Sequence, residues 1–444
     1  MSLEVAECDF MVGILHCKVG SGRTDPRGMG TTVATAEEQE KQRKGNDSRE
    51  RRSVRHIAII ADASAAGNGL TMQRPRHVDS PMRFRFLTST PLDFVRGSGT
   101  FAGIATLAKF LKKRGAEIEL VKPAIKFPIY TIERLIFNQR LRLRTADSDA
   151  ITVGFDMDGY AVAGAWRSFH VASIKGVVAD EMRFERGLTR ATMRLQARCE
   201  KIHVQRADLV IAPSNYSAQR MQELYGINHE PVVIPEGIDL SEWQHSLRRN
   251  PKPPAKNGFV VLTVCRFYPR KRLHILLGAA NRLRSRIPGM EVRLVGDGPE
   301  ASRLRSIWQS LKLEGIVRWL GDLTSDELAR EYHYCDVFCL PSVQESFGIV
   351  FLEAMASNKP IVAARSASVP EVVEHGVLVE PENEEALADA IQRLYDDPAL
   401  RQSLADEGLR RVCSFDAPRV VESFLREVEL ASGLRSPARL PAVG

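Results

Sequence analysis

The pattern of apolar and polar positions changes character at Met82. From there, short apolar runs alternate with longer segments of mixed pattern. Strands are predicted at Arg83–Leu87, Glu117–Val121, Ala150–Val153 and Val171–Ile174, and inside "ADLVIAPS". Between them, "GSGTFAGIATLAKFLKKRG" predicts a glycine turn opening a helix, and a second helix runs through Glu200–Arg206. "PVVIPEGIDLSEW" and the proline- and lysine-rich "RRNPKPPAKNG" then break the pattern. A second series starts at Phe259, with strands in "VVLTVCRF", "EVRLVGDGP", "VRWLG", "DVFCLPS" and "PIVAAR". Its helices are predicted over 274–287, 299–312 and 325–335, in "QESFGIVFLEAMASNKP", and at the end of the chain. Apolar strands alternating with helices predict parallel sheets covered on both faces. Two such series predict an α/β protein of two doubly wound domains facing across a cleft, with ligands beyond the carboxyl ends of the strands.

The predicted division is 82–240 for the first domain, 241–257 for a linker, 258–412 for the second domain, and 413–444 for a last helix and tail. Residues 1–81 are different. "TAEEQEKQRKGNDSRERRSVR" is a charge run without periodicity, which predicts disorder. That segment reads either as a disordered extension or as the result of a start codon assigned too early.

Composition narrows the class. A chain of 444 residues, 44% apolar, can bury a sizeable core. A net charge of +7 is too mild to imply nucleic acid, but it suits phosphorylated substrates or acidic lipid surfaces. The seven cysteines are odd in number and scattered, which points to a reducing compartment without disulfides or zinc. No apolar run approaches the roughly 18 residues needed to span a bilayer, and no signal-peptide block opens the chain. The expectation is a cytoplasmic protein.

Four segments fall just after predicted strand ends. Gly97 and Gly99 open a helix whose N-terminus suits a phosphate, although a plain tight turn reads equally well. A nicotinamide dinucleotide would want an acid ending the second strand, and that strand ends in Lys122. In "CRFYPRKR", Arg266 and Lys271 are spaced to reach a diphosphate from one loop; in isolation the segment reads as a solvated basic loop. "VGDGPE" places Gly298 at a turn that is either a simple connection or a ligand contact. The fourth segment keeps Glu345 and Glu353 in otherwise apolar surroundings. With a helix beginning near Gly348, the amides of Ser346 to Ile349 are unpaired and suited to phosphate oxygens. The two acids then suit sugar hydroxyls, Glu345 on a hexose and Glu353 on a ribose; buried without partners they would be costly.

"ESFGIVFLEAMA" closely resembles the donor-site signature of family 4 retaining glycosyltransferases of the GT-B fold, which has two Rossmann-like domains. The similarity runs collinearly through "RFYPRK", "LVGDGP", "VRWLGDL", "CDVFCLPS", "KPIVAAR" and "VPEVVEHGVLVEP", and in the first half through "GSGTFAGIATLAKFLKKRG", "ADLVIAPSN" and "VIPEGID". The resemblance implies that Arg266 and Lys271 stabilise the departing nucleoside diphosphate, that Glu345 grips the sugar, and that Glu353 holds the ribose. It further implies donor contacts from Gly97, Gly99, Gly298, Ser346, Phe347, Gly348 and Ile349. The main chain of Leu323 would meet the base, and the final helix would cross back to the first domain. Cys265 stands where Gly is usual, "SASVPE" lacks the usual glycines, and Lys175-Gly176 stand where many members place a histidine.

The implied reaction transfers a sugar from a nucleoside-diphosphate sugar with retention, needing neither metal nor cofactor. Asp156, Asp158 and Lys175, at strand ends of the first domain, are candidate acceptor residues; for the two aspartates a capping or turn role reads equally well. Lys109 to Arg144 carry ten Lys/Arg against three acids. That run reads either as a solvated basic helix or as a contact with an anionic membrane, at its inner face, bearing a lipid-linked or polysaccharide acceptor. Alternatives are a nucleotide-sugar epimerase, which a histidine at position 175 would favour, and an inactive sugar-nucleotide-binding protein, which loss of Arg266, Lys271 or Glu345 would signal.

Overall fold

The computed structural model describes residues 81–90, 99–125, 127, 129–144, 149–250 and 258–433, all within the unit Val78–Gly444. The predicted extension, up to residue 80, lies outside them, as does Gly97. In chain order the first lobe contains β1 (Arg83–Leu87), α1 (Gly99–Lys113), β2 (Glu117–Val121), α2 (Tyr130–Leu141), β3 (Ala150–Phe155) and β4 (His170–Ser173). It continues with α3 (Val178–Glu181), α4 (Gly187–Arg206), β5 (Leu209–Ala212), α5 (Asn215–Tyr225) and β6 (Val232–Val233). Its six strands form one parallel sheet in the order β2-β1-β3-β4-β5-β6. The apolar runs of β3, β4 and β5 are buried at every position, as a sheet covered on both faces requires.

Helix α6 (Leu240–Arg249) follows, in the first half of the expected linker. The side chain of Asp239 caps it by accepting from the Glu242 amide, Leu240 is buried, and Trp243 donates to the Ser357 hydroxyl. The prolines and lysines of 251–256 hid this short amphipathic turn of sequence.

The second lobe comprises β7 (Val260–Val264), α7 (Leu273–Leu283), β8 (Glu291–Val295), α8 (Ala301–Ser310), β9 (Val317–Gly321), α9 (Ser325–Tyr334) and β10 (Val337–Leu340). Then come α10 (Ile349–Ala356), β11 (Ile361–Ala364), α11 (Val369–Val372), β12 (Val377–Val379), α12 (Glu384–Asp396) and α13 (Pro398–Val412). Its sheet is also parallel, ordered β12-β11-β10-β7-β8-β9. The last helix, α14 (Ala417–Ser432), buries Val421, Phe424 and Val428 in the first lobe's core with Phe84, Phe86 and Leu107. Two doubly wound lobes therefore present their strand ends to each other.

Candidate active site

The segment after β10 turns sharply before α10. Gly348 adopts φ 91°, a left-handed backbone that favours glycine, and a Cβ there would run into the Phe351 ring. The turn buries Phe347 against Phe415 and leaves Glu345 in the loop and Glu353 within the helix. Ser366 and Ser368 hold this loop by donating to the carbonyls of Val343 (2.7 Å) and Glu345 (2.9 Å). The "SASV" stretch thus uses hydroxyls where the resemblance expects glycines.

Beside it, a short turn over Pro269–Lys271 brings the Lys271 ammonium to 2.5 Å from a Glu345 carboxylate oxygen. Both side chains are nearly enclosed, 12% and 8% exposed. Lys271 is therefore no solvated loop cation. Arg266 lies at the rim, a third exposed, with Asp322 at 3.4 Å. Arg270, passed over in the sequence, reaches the first lobe's Glu181 at 3.3 Å, while its carbonyl accepts from the Val343 amide. Gly298 has a packing duty, because a Cβ would lie 2.6 Å from the Phe267 amide nitrogen; this close approach seams the β7 and β8 loops together. Leu323 is half-buried against the second lobe's core. Glu353 accepts from the Tyr332 hydroxyl at 3.1 Å. Burial pushes its carboxyl up to about 7, against the pull of that hydrogen bond.

From the first lobe, Gly99 begins α1 with its Cα close to Ile349, since a Cβ there would lie 3.9 Å from Ile349 Cδ1. The N-termini of α1 and α10 thus meet across the cleft, with the positive ends of both helix dipoles beside each other. The α5 end also crosses it. Ser214 and Ser217 donate to the Ser346 carbonyl at 2.7 and 3.2 Å. Glu371 of α11 accepts from the amides of Asn215 (2.8 Å) and Tyr216 (2.7 Å) and from the Asn215 side chain. Among the described residues, no group of three or more His, Cys, Asp or Glu side chains is arranged to hold a metal ion.

Comparison with known proteins decides the family. A model of glycosyl transferases group 1 matches residues 246–411, and one of glycosyltransferase family 4 matches 123–242. The chain belongs to the group 1, family 4 glycosyltransferases. It is 33% identical over 238 residues to a D-inositol 3-phosphate glycosyltransferase of Actinosynnema mirum, covering 50% of this chain and 57% of that one. The match thus spans little more than half of that relative's length. Sucrose-phosphate synthase of Thermosynechococcus elongatus has a similar structure, with TM-score 0.67, 20% identity, and coverage of 80% of this chain and all of that one. Anabaena HepE, solved with UDP and glucose, matches at TM-score 0.62 and 20% identity, over 79% of this chain and all of that one. The fold is GT-B.

Within this glycosyltransferase fold, the candidate acceptor residues Asp156, Asp158 and Lys175 are each engaged by neighbours in the first lobe. Asp158 is fully buried, and its carboxylate accepts from the Ser89 amide (2.6 Å), the Ser89 hydroxyl (2.7 Å) and Asn138 (3.0 Å), with Arg134 at 3.4 Å. Through these contacts it ties β1, α2 and β3 of the lobe together. Asp156 takes a left-handed φ of 53° and caps the β4 turn, accepting from the amides of Lys175 (2.8 Å) and Gly176 (3.3 Å). Burial pushes its carboxyl up to about 6, opposed by Arg134. The Lys175 ammonium is 2.7 Å from Glu236, and both side chains are nearly enclosed. What fixes Asp156 is a histidine pair that the sequence did not signal. His203 Nδ1 lies 2.5 Å from the Asp156 carbonyl, which can only accept, so Nδ1 carries the proton. His203 Nε2 then accepts from His170 Nε2 at 2.9 Å. Burial holds both rings neutral, with His203 lowered to about 4.

Proposed function

We propose that the protein transfers a sugar from a nucleoside-diphosphate sugar to an acceptor hydroxyl, with retention at the anomeric carbon and without a metal. The observation that carries this reading is the meeting of the α1 and α10 N-termini beside the Lys271–Glu345 pair. Helix amides, Lys271 and Arg266 together supply the positive field that a departing diphosphate needs. In this scheme the bond from C1 to the diphosphate oxygen breaks and a bond from C1 to the acceptor oxygen forms on the same face. The acceptor proton passes to the leaving phosphate. Glu345 leaves Lys271 to take a sugar hydroxyl as the diphosphate arrives, and Glu353 accepts from the ribose. The acceptor, a lipid-linked or polysaccharide glycan, occupies the first lobe.

The test is a thermal-shift panel of UDP-, GDP- and ADP-sugars, followed by calorimetry with the bare diphosphate that stabilises best. Because the Glu353 carboxyl ionises near pH 7, affinity should rise as pH passes upward through about 7. Glu353→Gln should flatten that rise and weaken binding by about 1–3 kcal/mol. No stabilisation by any nucleotide sugar would reject the reading. Cleavage of the donor without transfer to any glycan would favour a different activity at the same site.

A further inference from the structure

Ten large hydrophobic side chains stand exposed among the described residues, and eight of them lie between residues 120 and 195. They are Leu120, Ile125, Ile129, Tyr130, Ile132, Leu143, Leu188 and Leu195. The second lobe has none from Val260 to Val412, so this is a property of one stretch of the first lobe and not of the whole surface. On α2, Ile132, Ile136 and Arg140 recur at helical spacing, continued by Ile129 just before the helix and Leu143 just after it, opposite the buried row Thr131, Arg134, Asn138 and Leu141. On α4, Leu188 and Leu195 lie along the edge next to α2, where Gln196 bonds to Thr131 and Arg134.

The same face is cationic. Arg190, Arg194, Arg198 and Lys201 recur at helical spacing on α4; all are exposed and have no acidic partner among the described residues. Arg140 and Lys122 are likewise exposed and unpaired with an acid, and they rim an open hollow floored by Ile136 and Phe137. Of the acids nearby, Glu133 accepts from the Phe127 amide, and Glu119 is engaged by Arg85 and Arg144. No helix of the described residues is long and apolar enough to cross a membrane.

We propose that the α2–α4 face docks on an anionic lipid bilayer. Ile129, Ile132, Leu188 and Leu195 enter the boundary between headgroups and acyl chains, and the arginines of α4 meet the lipid phosphates. Exposed apolar side chains on the same helices as unpaired cations fit this partner, because a neutral partner would leave the charge unanswered and a soluble polyanion would leave the apolar surface wet. Docking stands on the surface itself. Only its corollary, that the acceptor is delivered from the bilayer, rests on the proposed transfer reaction.

The test is co-sedimentation of the full chain with phosphatidylcholine vesicles, with and without phosphatidylglycerol. The chain should bind the anionic vesicles and lose that binding as salt rises. Arg190→Glu/Arg194→Glu/Arg198→Glu should weaken partition by roughly 100-fold or more. Ile132→Ser/Leu195→Ser should weaken it independently, and both variants should melt like wild type because the residues are exposed. Equal binding to neutral vesicles, variants that bind like wild type, or a dimer that these variants dissociate without any vesicle binding would overturn the proposal. Donor binding by the same variants, which should be unchanged, separates this outcome from failure of the proposed reaction.

Discussion

The ion pair between Lys271 and Glu345 changes what a single substitution in the site means. Read as a loop cation, Lys271 would contribute little to folding. Enclosed beside Glu345, it neutralises a carboxylate that cannot otherwise be solvated. Lys271→Ala should therefore cost about 3 kcal/mol of stability as well as donor binding, because it strands a buried charge. Lys271→Met combined with Glu345→Gln should recover most of that loss while remaining unable to bind donor, since both charges are gone together. Urea melts of Lys271→Met, of Glu345→Gln and of the double variant form a cycle that measures the coupling. Additive losses would mean that the two side chains do not interact in solution. The pair also explains how two opposite charges are tolerated in so enclosed a place, since each satisfies the other.

Where α5 meets the second lobe, the contact is made by hydrogen bonds to the end of the helix. The first two amides of α5 have no partner within their helix, and Glu371 supplies one from the opposite lobe. The adjoining serines fix the Ser346 carbonyl, so closure of the lobes and the shape of the α10 loop are set together. Glu371→Gln, which removes the charge, should speed amide exchange at Asn215–Tyr216 and across Ser346–Ile349 by roughly tenfold or more, the scale of one charge-assisted hydrogen bond. Exchange at both segments unchanged from wild type would show that the latch does not hold in solution. None of this was legible in the sequence. The strands were, because burial on both faces writes itself as continuous apolar runs, and so was the loop with Glu345 and Glu353, because its chemistry contradicts its hydropathy. The Glu371 cap, the Ser366 and Ser368 hydroxyl bonds and the His170–His203 pair join residues far apart in the chain, and no local pattern announces such contacts. Helix α6 was missed for a different reason, since the prolines after it dominate the reading of its neighbourhood.

The path of the whole chain makes the two lobes unequal in what they need. The second lobe completes its own core, which takes in Phe415 in the short turn after α13 and closes before α14 begins. The first lobe does not, because its core includes Val421, Phe424 and Val428 from the far end of the chain, with the Phe424 ring 6.0 Å from that of Phe84. Deleting everything after Phe415 should therefore uncover β1 and α1, at the opposite end of the sequence, and leave β7–β10 folded. Phe424→Ala is the milder form. A buried Phe→Ala change costs about 3–5 kcal/mol, and here the loss should fall on the first lobe alone. Hydrogen exchange at rising urea separates the lobes: peptides from β1–β3 should lose protection at lower denaturant than in wild type, while those from β7–β10 keep theirs. If both lobes shifted together, the lobes would unfold as one cooperative unit. If only the second shifted, α14 would belong to that lobe's stability instead. The expected outcome is the first, because the contacts of α14 that exclude water are made with Phe84, Phe86 and Leu107.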